Sequence, residues 1–413
     1  MPMCGCDIEN CLRPAVRTLG DRVLCDRHLC SQHLQAGFHD CPKLEDAETY
    51  VLAAREAERK EMERLLEKVD TQTLAAHASR LRQGIPCSVP ALQYDREKRS
   101  SVTGGMNCHL DIHFEDGMIW MARIHYIIQS EVSSLRFLER TSVPAPRVFD
   151  YALEGANNPV GVGYVLIEKM PGSSLQWSLA SSQQRNKVME QLGNILVELH
   201  RYPFDRMGCL DRIGSSHVGS FARESLTDFD ESHMLTLGPY SSLEEYHVAS
   251  IRLILNLIIR EELYTERSVD AYLIHRFLLD LVPSILPRSA GEGMKFFLKH
   301  ADDKGDHVLV DEEYNITECI AFNSPAMLLP VSDFYKGVNE LGNEEAEFAR
   351  IFERKGYPGL AEIVRQGRLQ HRFAFCCEYD LADWSGFLGL FRGLRDAIGV
   401  DHDLSWDDRK KSL

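Results

Sequence analysis

The stretch that most constrains this chain is Lys299-His300-Ala301-Asp302-Asp303-Lys304-Gly305-Asp306-His307-Val308-Leu309-Val310-Asp311. A polar, charged loop is followed at once by a short apolar strand, Val308 to Val310. A carboxylate two residues after a histidine, just ahead of a strand, suits phosphoryl transfer. Asp302 would point at an acceptor hydroxyl, and a side chain five residues on would hold magnesium against nucleotide phosphates. Asn is the usual residue at that second place, and His307 stands there. Taken alone, the loop is weak evidence, because acidic loops are usually solvated turns. The question is whether the rest of the chain carries the other parts.

The other parts occur in order: Gly104-Gly105; Met118-Ile119-Trp120-Met121-Ala122-Arg123-Ile124; Ser130-Glu131-Val132; Val143-Pro144-Ala145-Pro146-Arg147-Val148; Tyr164-Val165-Leu166-Ile167-Glu168-Lys169-Met170-Pro171-Gly172; then His300-Ala301-Asp302. This order resembles the aminoglycoside phosphotransferase family over residues 95 to 400, and is most similar to a divergent fungal branch with the His-Ala-Asp-Asp-Lys-Gly-Asp loop. The resemblance implies an α+β, two-lobed protein-kinase-like fold. A nucleotide-binding lobe would cover 92–170 and a helical lobe 171–400, with the catalytic loop at 299–311. It implies ATP and Mg2+ as cofactors and Asp302 as the catalytic residue. The backbone at Gly104 and Gly105 would approach phosphates. Arg123 would take the place of a phosphate-contacting Lys, and Glu131, on the next helix, would orient it. The hinge Glu168-Lys169-Met170 would read adenine through its backbone. Residue by residue, plainer readings stand beside these: a glycine pair is an ordinary turn, and Arg123 is a surface arginine on a strand.

One part is out of pattern. The family carries a second metal carboxylate in an Ile-Asp-Trp-Glu motif, at the end of the strand after the loop. Here Ile316-Thr317-Glu318-Cys319-Ile320 runs into Ala321-Phe322-Asn323, which puts Ala321 at that place, and the linking stretch that follows is missing. Imidazole at His307 is a poor ligand for a hard, oxygen-seeking cation. Asp303, Asp306 or Glu318 would have to stand in. Three readings follow: a small-molecule kinase with rewired metal ligands, a pseudokinase-like binding module, or a record that lacks a coding segment.

Six of the twelve cysteines lie in the first 41 residues: Cys4, Cys6, Cys11, Cys25, Cys30 and Cys41. With no secretory signal pattern, that clustering reads as metal ligation rather than disulfides. Cys30-x₂-His33-x₅-His39-x-Cys41 suits tetrahedral zinc. A segment this short cannot bury enough apolar area to fold unaided, so metal would supply the stability. The spacing over 4–41 is similar to an AN-one-type zinc finger, the finger of stress-associated and ubiquitin-linked proteins. That resemblance implies Cys6, Cys11, Cys30 and His33 on a first Zn2+, and Cys25, His39 and Cys41 on a second. The cysteine expected just before Cys25 is missing, which leaves His28 or Cys4 to complete the second set. The other reading is a disordered tail with incidental cysteines.

Residues 43–84 form a charged helical linker: 43–83 is rich in Glu, Ala, Leu, Arg and Lys, and its apolar spacing predicts one amphipathic helix closed by Gly84 and Pro86. Alternation predicts strands over Cys108–Phe114 and Met118–Ile124, joined by Glu115-Asp116-Gly117. A third strand is Tyr164–Ile167. Helices are expected over 184–200, 242–285 and 344–397, and His200 reads as a helix end rather than a ligand. Residues 205–240 show no period and read as a substrate-side insertion or long loop, Cys376 and Cys377 as packing residues, and the tail from Asp401 as frayed.

A net charge of −16 argues against general nucleic-acid binding, and no run of 18 apolar residues crosses a membrane. The cysteine usage points to the reducing cytosol (cytoplasmic) or the nucleus. The partner is a small-molecule acceptor, or a protein met through the finger; the sequence names neither, and does not set the oligomeric state.

Overall fold

The computed structural model describes residues 6–17, 21–22, 27–35, 38, 47–90, 103–104, 107–124, 128–222, 227–230, 233–286, 294–299, 308–319, 328, 331–379, 383–400, 406 and 408. A ribbon of β1 (Asp21–Arg22) and β2 (Arg27–His28) precedes α1 (Ala47–Lys68) and α2 (Thr71–Leu81). Next come β3 (Cys87–Ser88), β4 (Thr103–Gly104), β5 (Asn107–Phe114), β6 (Ile119–Ile124), α3 (Ile128–Leu138), β7 (Val148–Ala152) and β8 (Tyr164–Glu168). β9 (Ser173–Ser174) and α4 (Ser182–Leu199) lead to β10 (Cys209–Leu210), β11 (Val218–Gly219), β12 (Thr227–Asp230) and β13 (His233–Thr236). Then follow α5 (Leu243–Ile259), α6 (Ser268–Ile285), β14 (Leu309–Val310), β15 (Ile316–Glu318), α7 (Val331–Tyr335), α8 (Asn343–Arg354), α9 (Pro358–Glu378) and α10 (Trp384–Ile398).

The chain divides into two compact units. One takes Met1–Thr141, Ala145–Met170 and Gly208–Thr236; the other takes Ser142–Pro144, Pro171–Met207 and Leu237–Leu413. The first is built on an antiparallel sheet in the order β3-β5-β6-β8-β7, with β4 also paired to β5. Strict alternation makes that sheet two-faced. Leu110, Ile112, Phe114, Trp120, Ala122, Tyr164 and Leu166 point into a core that Val69, Leu74 and Ala78 close from the α2 side. The residues between them, His109, Asp111, Met121 and Arg123, are half-buried on the opposite face. Gly117 turns the β5–β6 hairpin with φ +85°, a left-handed value that favours glycine, and its N–H donates to the Phe114 carbonyl at 3.0 Å.

Two expectations for this unit need correction. The helix expected over 43–83 is two helices, broken at Val69-Asp70. Val69 turns into the core, and the Asp70 carboxylate caps α2 by accepting the Thr73 N–H and hydroxyl, each at 2.8 Å. The segment 205–240 is not a plain loop, because β10 pairs with β11 and β12 with β13. The first ribbon docks on α3, where Gln129 Nε2 donates to the Asp211 carbonyl at 2.6 Å. Strands of two to four residues are too short to show a period in the sequence.

The second unit is helical. α5 and α6 lie side by side, and Ile251, Ile254, Ile258, Ile274, Leu278 and Val282 pack against Phe373, Phe387 and Phe391 of α9 and α10. Cys376 and Cys377 are buried in that core, and burial pushes the Cys376 thiol up to about 12. His200 is the C-cap of α4, while Ser181 and Gln184 form a capping box at its start. The tail corrects another expectation: Trp406 is buried against Phe391, and its Nε1–H donates to Asp270 Oδ1 at 2.9 Å. Among the described residues no helix is long and apolar enough to cross a membrane.

Candidate functional site

In the first unit the sheet brings Arg123 and Glu131 together. β5 and β6 pair in a register that sets His109 opposite Arg123, on the face away from the α2 core. Glu131 comes from the first turn of α3. Arg123 Nη1 donates to Glu131 Oε1, and Arg123 Nε donates to His109 Nε2 at 3.2 Å. Both members of the ion pair are largely buried, at 24% and 17% side-chain exposure, so solvent screens it less than a surface pair. Next to it, Lys169 Nζ donates to Asp111 Oδ2, which ties the residue after β8 to β5. Sequence reasoning named Arg123 and Glu131 and missed His109. Register was the signal that could have found it, since a hairpin turning at 115–117 sets 109 against 123.

The other expected nucleotide contacts fall in or beside the same sheet. Gly104 ends β4 and pairs with Asn107, while Gly105 lies outside the described residues. Glu168 closes β8, where its N–H donates to the Arg147 carbonyl at 2.9 Å, and Met170 follows two residues on.

In the second unit Asp302, Asp303, Asp306, His307 and Ala321 lie outside the described residues. What is described is the frame on either side of them. Val308 is fully buried, and its carbonyl accepts the Leu175 N–H at 2.8 Å. β14 pairs with β9 on one side and β15 on the other. The turn between β14 and β15 is held by Asp311, whose carboxylate accepts the Asn315 Nδ2–H at 2.8 Å, the Asn315 N–H at 2.7 Å and the Glu313 N–H at 3.0 Å. The Asn315 side chain, then its backbone N–H, hold the Asp311 carboxyl below its ordinary value. Gln191 of α4 staples the same turn, donating to the Tyr314 carbonyl at 2.9 Å and accepting the Ile316 N–H at 2.9 Å. Glu318 ends β15, and Cys319 is buried, its N–H donating to the Pro144 carbonyl at 2.8 Å.

The N-terminal segment forms a second cluster. Cys6, Cys11, Cys30 and His33 place four donor atoms within 4.8 Å of one another. Cys6 Sγ lies 3.1 Å from His33 Nδ1, Cys30 Sγ 3.4 Å from the same nitrogen, and Cys11 Sγ 3.9 Å from Cys30 Sγ. Tetrahedral zinc with ordinary bond lengths sets its sulfurs about 3.8 Å apart and sulfur from nitrogen about 3.5 Å. Three thiols and an imidazole at these separations therefore fit that ion. Burial pushes the Cys6 thiol up, but backbone N–H donors at Cys30 and Ile8, then His33, outweigh it and bring the thiol to about 7, toward the thiolate a metal binds. Leu29 and Cys30 are buried with Cys6 in a small core of their own. His28 stands apart from the cluster with its ring beside Asp7, at 3.3 Å. Cys4, Cys25, His39 and Cys41 lie outside the described residues. Arg17 reaches Asp228 of β12 at 3.6 Å.

Comparison with known proteins decides the family. The Phosphotransferase enzyme family matches residues 127–354, more than half of the chain. The chain belongs to that family. Its mixed α+β architecture, an antiparallel sheet followed by a helical unit, is the kinase-like one that the resemblance implied. The phosphotransferase match includes Glu131, Glu168, Asp302, His307 and Ala321, and runs across the Cys319-Ile320-Ala321 join; Arg123 and Gly104 lie just upstream of it. Two curated proteins of Aspergillus fumigatus, both named subtelomeric hrmA-associated cluster proteins, are 28% and 27% identical over 161 residues, in matches that cover 35% of this chain. The chain spans 29% of the length of these relatives. Among solved structures, aminoglycoside phosphotransferase APH(4)-Ia in ternary complex with AMP-PNP and hygromycin B is similar at 16% identity and a TM-score of 0.42, over 76% of this chain and 96% of that one. The GDP complex of aminoglycoside 2'-phosphotransferase-IIIa is similar at 14% identity and a TM-score of 0.40, over 80% and 99%.

Proposed function

We propose that this phosphotransferase-family chain binds ATP and transfers its terminal phosphoryl group slowly to a small-molecule acceptor, behind a zinc finger that contacts a protein partner. The observation that carries the nucleotide reading is the Arg123–Glu131 ion pair. Kinase-like catalysis needs a strand cation on the nucleotide phosphates, oriented by a helix glutamate, and here the cation is an arginine. Asp302 would accept the proton of the acceptor hydroxyl as the oxygen attacks phosphorus and ADP leaves; in the sequence, its loop runs directly into β14. Magnesium, when bound, neutralises charge on the phosphates. This chain offers His307 and Ala321 at the two usual ligand places, so the remaining carboxylates Asp306 and Glu318 would carry a weakened site. Loss of such electrostatic stabilisation costs about 100-fold or more in rate for each contribution removed.

The zinc reading is supported by the Cys6, Cys11, Cys30 and His33 separations, with Cys25, His39 and Cys41 proposed for a second ion. Zinc here would close the fold of the finger and take no part in phosphoryl transfer.

The test is calorimetry with ATP, with and without magnesium, joined to a transfer assay over hydroxyl and amino small molecules. Weak binding that changes little with magnesium is expected, together with transfer so close to background that Asp302→Ala changes almost nothing. Tight, magnesium-dependent binding with brisk transfer abolished by Asp302→Ala would show that Asp306 or Glu318 has taken over the metal. Absence of any ATP binding would leave the pseudokinase-like module, which the substitutions at the two metal places favour.

A further inference from the structure

We propose that His109 is a positioning residue for Arg123: its Nε2 lone pair fixes the guanidinium so that the Nη2 edge is the one presented to nucleotide phosphate. The inference rests on the nucleotide reading above and adds to it a residue, on a different strand, that the pairing of Arg123 with Glu131 does not require.

A guanidinium is a rigid fork of five N–H donors, and its Nε–H lies on the side opposite one of the Nη groups. Where a lysine needs only a counter-charge, an arginine must also be oriented in its plane. Glu131 alone, bonded to Nη1, leaves the plane free to rock about that contact. His109 removes that freedom. It faces Arg123 directly across the β5–β6 pair, its backbone position set by the hairpin register, and its Nε2 takes the Nε–H at 3.2 Å. With Nε and Nη1 both committed, hydrogen bonds from two corners of the planar group hold its orientation. The bond from Nε also requires an imidazole that carries no proton on Nε2, so His109 acts as an acceptor beside a cation and not as a second cation. An apolar residue at 109 would leave the Arg123 Nε–H without this acceptor in a half-buried place, at a cost characteristic of an unmet hydrogen bond to a charged group.

This need for an in-plane acceptor is specific to arginine. A glutamine at 109 can bring its carbonyl oxygen near the site of Nε2 and serve the same donor; a leucine cannot. A lysine at 123 has no Nε–H to give, so the identity of residue 109 should then cease to matter.

The experiment is ATP binding by the full-length protein, measured by calorimetry for His109→Leu, His109→Gln, Arg123→Lys and the double variants. His109→Leu is expected to weaken ATP about tenfold, the effect of losing one hydrogen bond to a charged group. His109→Gln should stay close to the unmodified protein, and His109→Leu should add nothing in the Arg123→Lys background. The proposal is overturned if His109→Leu binds ATP as tightly as the unmodified protein, if His109→Gln is as impaired as His109→Leu, or if the loss is the same in both backgrounds. Should His109→Leu fail to fold, comparing His109→Gln with His109→Asn decides instead, since the shorter amide falls short of Nε and should behave as the loss. If the unmodified protein binds no ATP, the nucleotide reading itself has failed, and this inference with it.

Discussion

Several side chains here act by where they are buried rather than by what they can titrate. His247 is buried between Tyr246 and Phe373, with ring centroids 4.9 Å and 5.1 Å away, and burial pulls its pKa down from 6.5 to about 4 despite the charge of Glu378 nearby. A histidine whose folded pKa lies below its unfolded value resists protonation only while folded. Its contribution is therefore complete above pH 6.5 and is lost as the pH falls toward 4, because the unfolded chain binds the proton first. The slope amounts to roughly 3 kcal/mol at most over that window. His371 is shifted the same way to about 4, by burial and then by Lys299, Arg368 and Arg372. Urea unfolding should therefore show stability falling from pH 6.5 to 4, with His247→Phe flattening part of that fall; an unchanged slope in the variant would remove His247 as a source. Neither histidine announces itself in the sequence, and neither do Arg368 and Arg372, whose charge alone would place them in solvent although they share a helical stripe with Ala361, Val364 and Cys376. They are buried because Arg368 pairs with Glu345, and Arg372 donates to the carbonyls of Phe334 and Val338, each at 2.7 Å. That compensation is tertiary, and no local pattern encodes it.

At the scale of elements, what was legible followed length and turn chemistry. The β5–β6 hairpin could be read because eight- and six-residue strands alternate around a glycine turn. α4 could be read because its apolar stripe is long. The ribbons β10–β13 and the break between α1 and α2 could not, since strands of two to four residues show no period and the break rests on one short cap, Asp70 on Thr73. The small sheet β15-β14-β9 is of that kind, and one glycine makes it possible. Gly172 has φ +108°, and a Cβ there would lie 2.6 Å from the Val310 carbonyl oxygen and 2.8 Å from Thr317 Oγ1. The backbone leading into β9 thus approaches β14 as closely as it does only because no side chain intervenes. Gly172→Ala should cost about 1–3 kcal/mol from the strained φ and the displaced strand, visible as a lowered unfolding midpoint. It should also raise hydrogen exchange at the Leu175 N–H, which the Val308 carbonyl accepts. Unchanged exchange there would mean that β9 can shift without disturbing β14.

On the scale of the whole chain, the N-terminal Cys/His cluster and the sheet have separate cores among the described residues, and this sets how they should come apart. The N-terminal cluster has a core of Cys6, Leu29 and Cys30 with Ile8, Cys11 and Leu34 around it; among the described residues, the sheet's core begins at Leu65 and Leu66. Cores that share no residues unfold independently unless their surfaces are tightly joined. A described link between the two is the Arg17–Asp228 ion pair of 3.6 Å, between largely buried side chains. The metal, in contrast, would supply most of what holds a finger of this size folded. A strong chelator should therefore open the N-terminal segment while leaving the sheet intact. Limited trypsin digestion after chelation should cut first at Arg13, Arg17, Arg22 and Arg27, and a fragment beginning near α1 should persist and melt cooperatively. Before chelation, elemental analysis should find at least one zinc per chain, and Cys30→Ala should lose metal where Cys4→Ala keeps it, because Cys30 stands in the described cluster. If trypsin spares the first 41 residues after chelation, those residues fold without metal and the finger reading is wrong. If instead the whole chain is digested at once, the finger is a structural part of the sheet unit, joined to it by more than the Arg17–Asp228 pair.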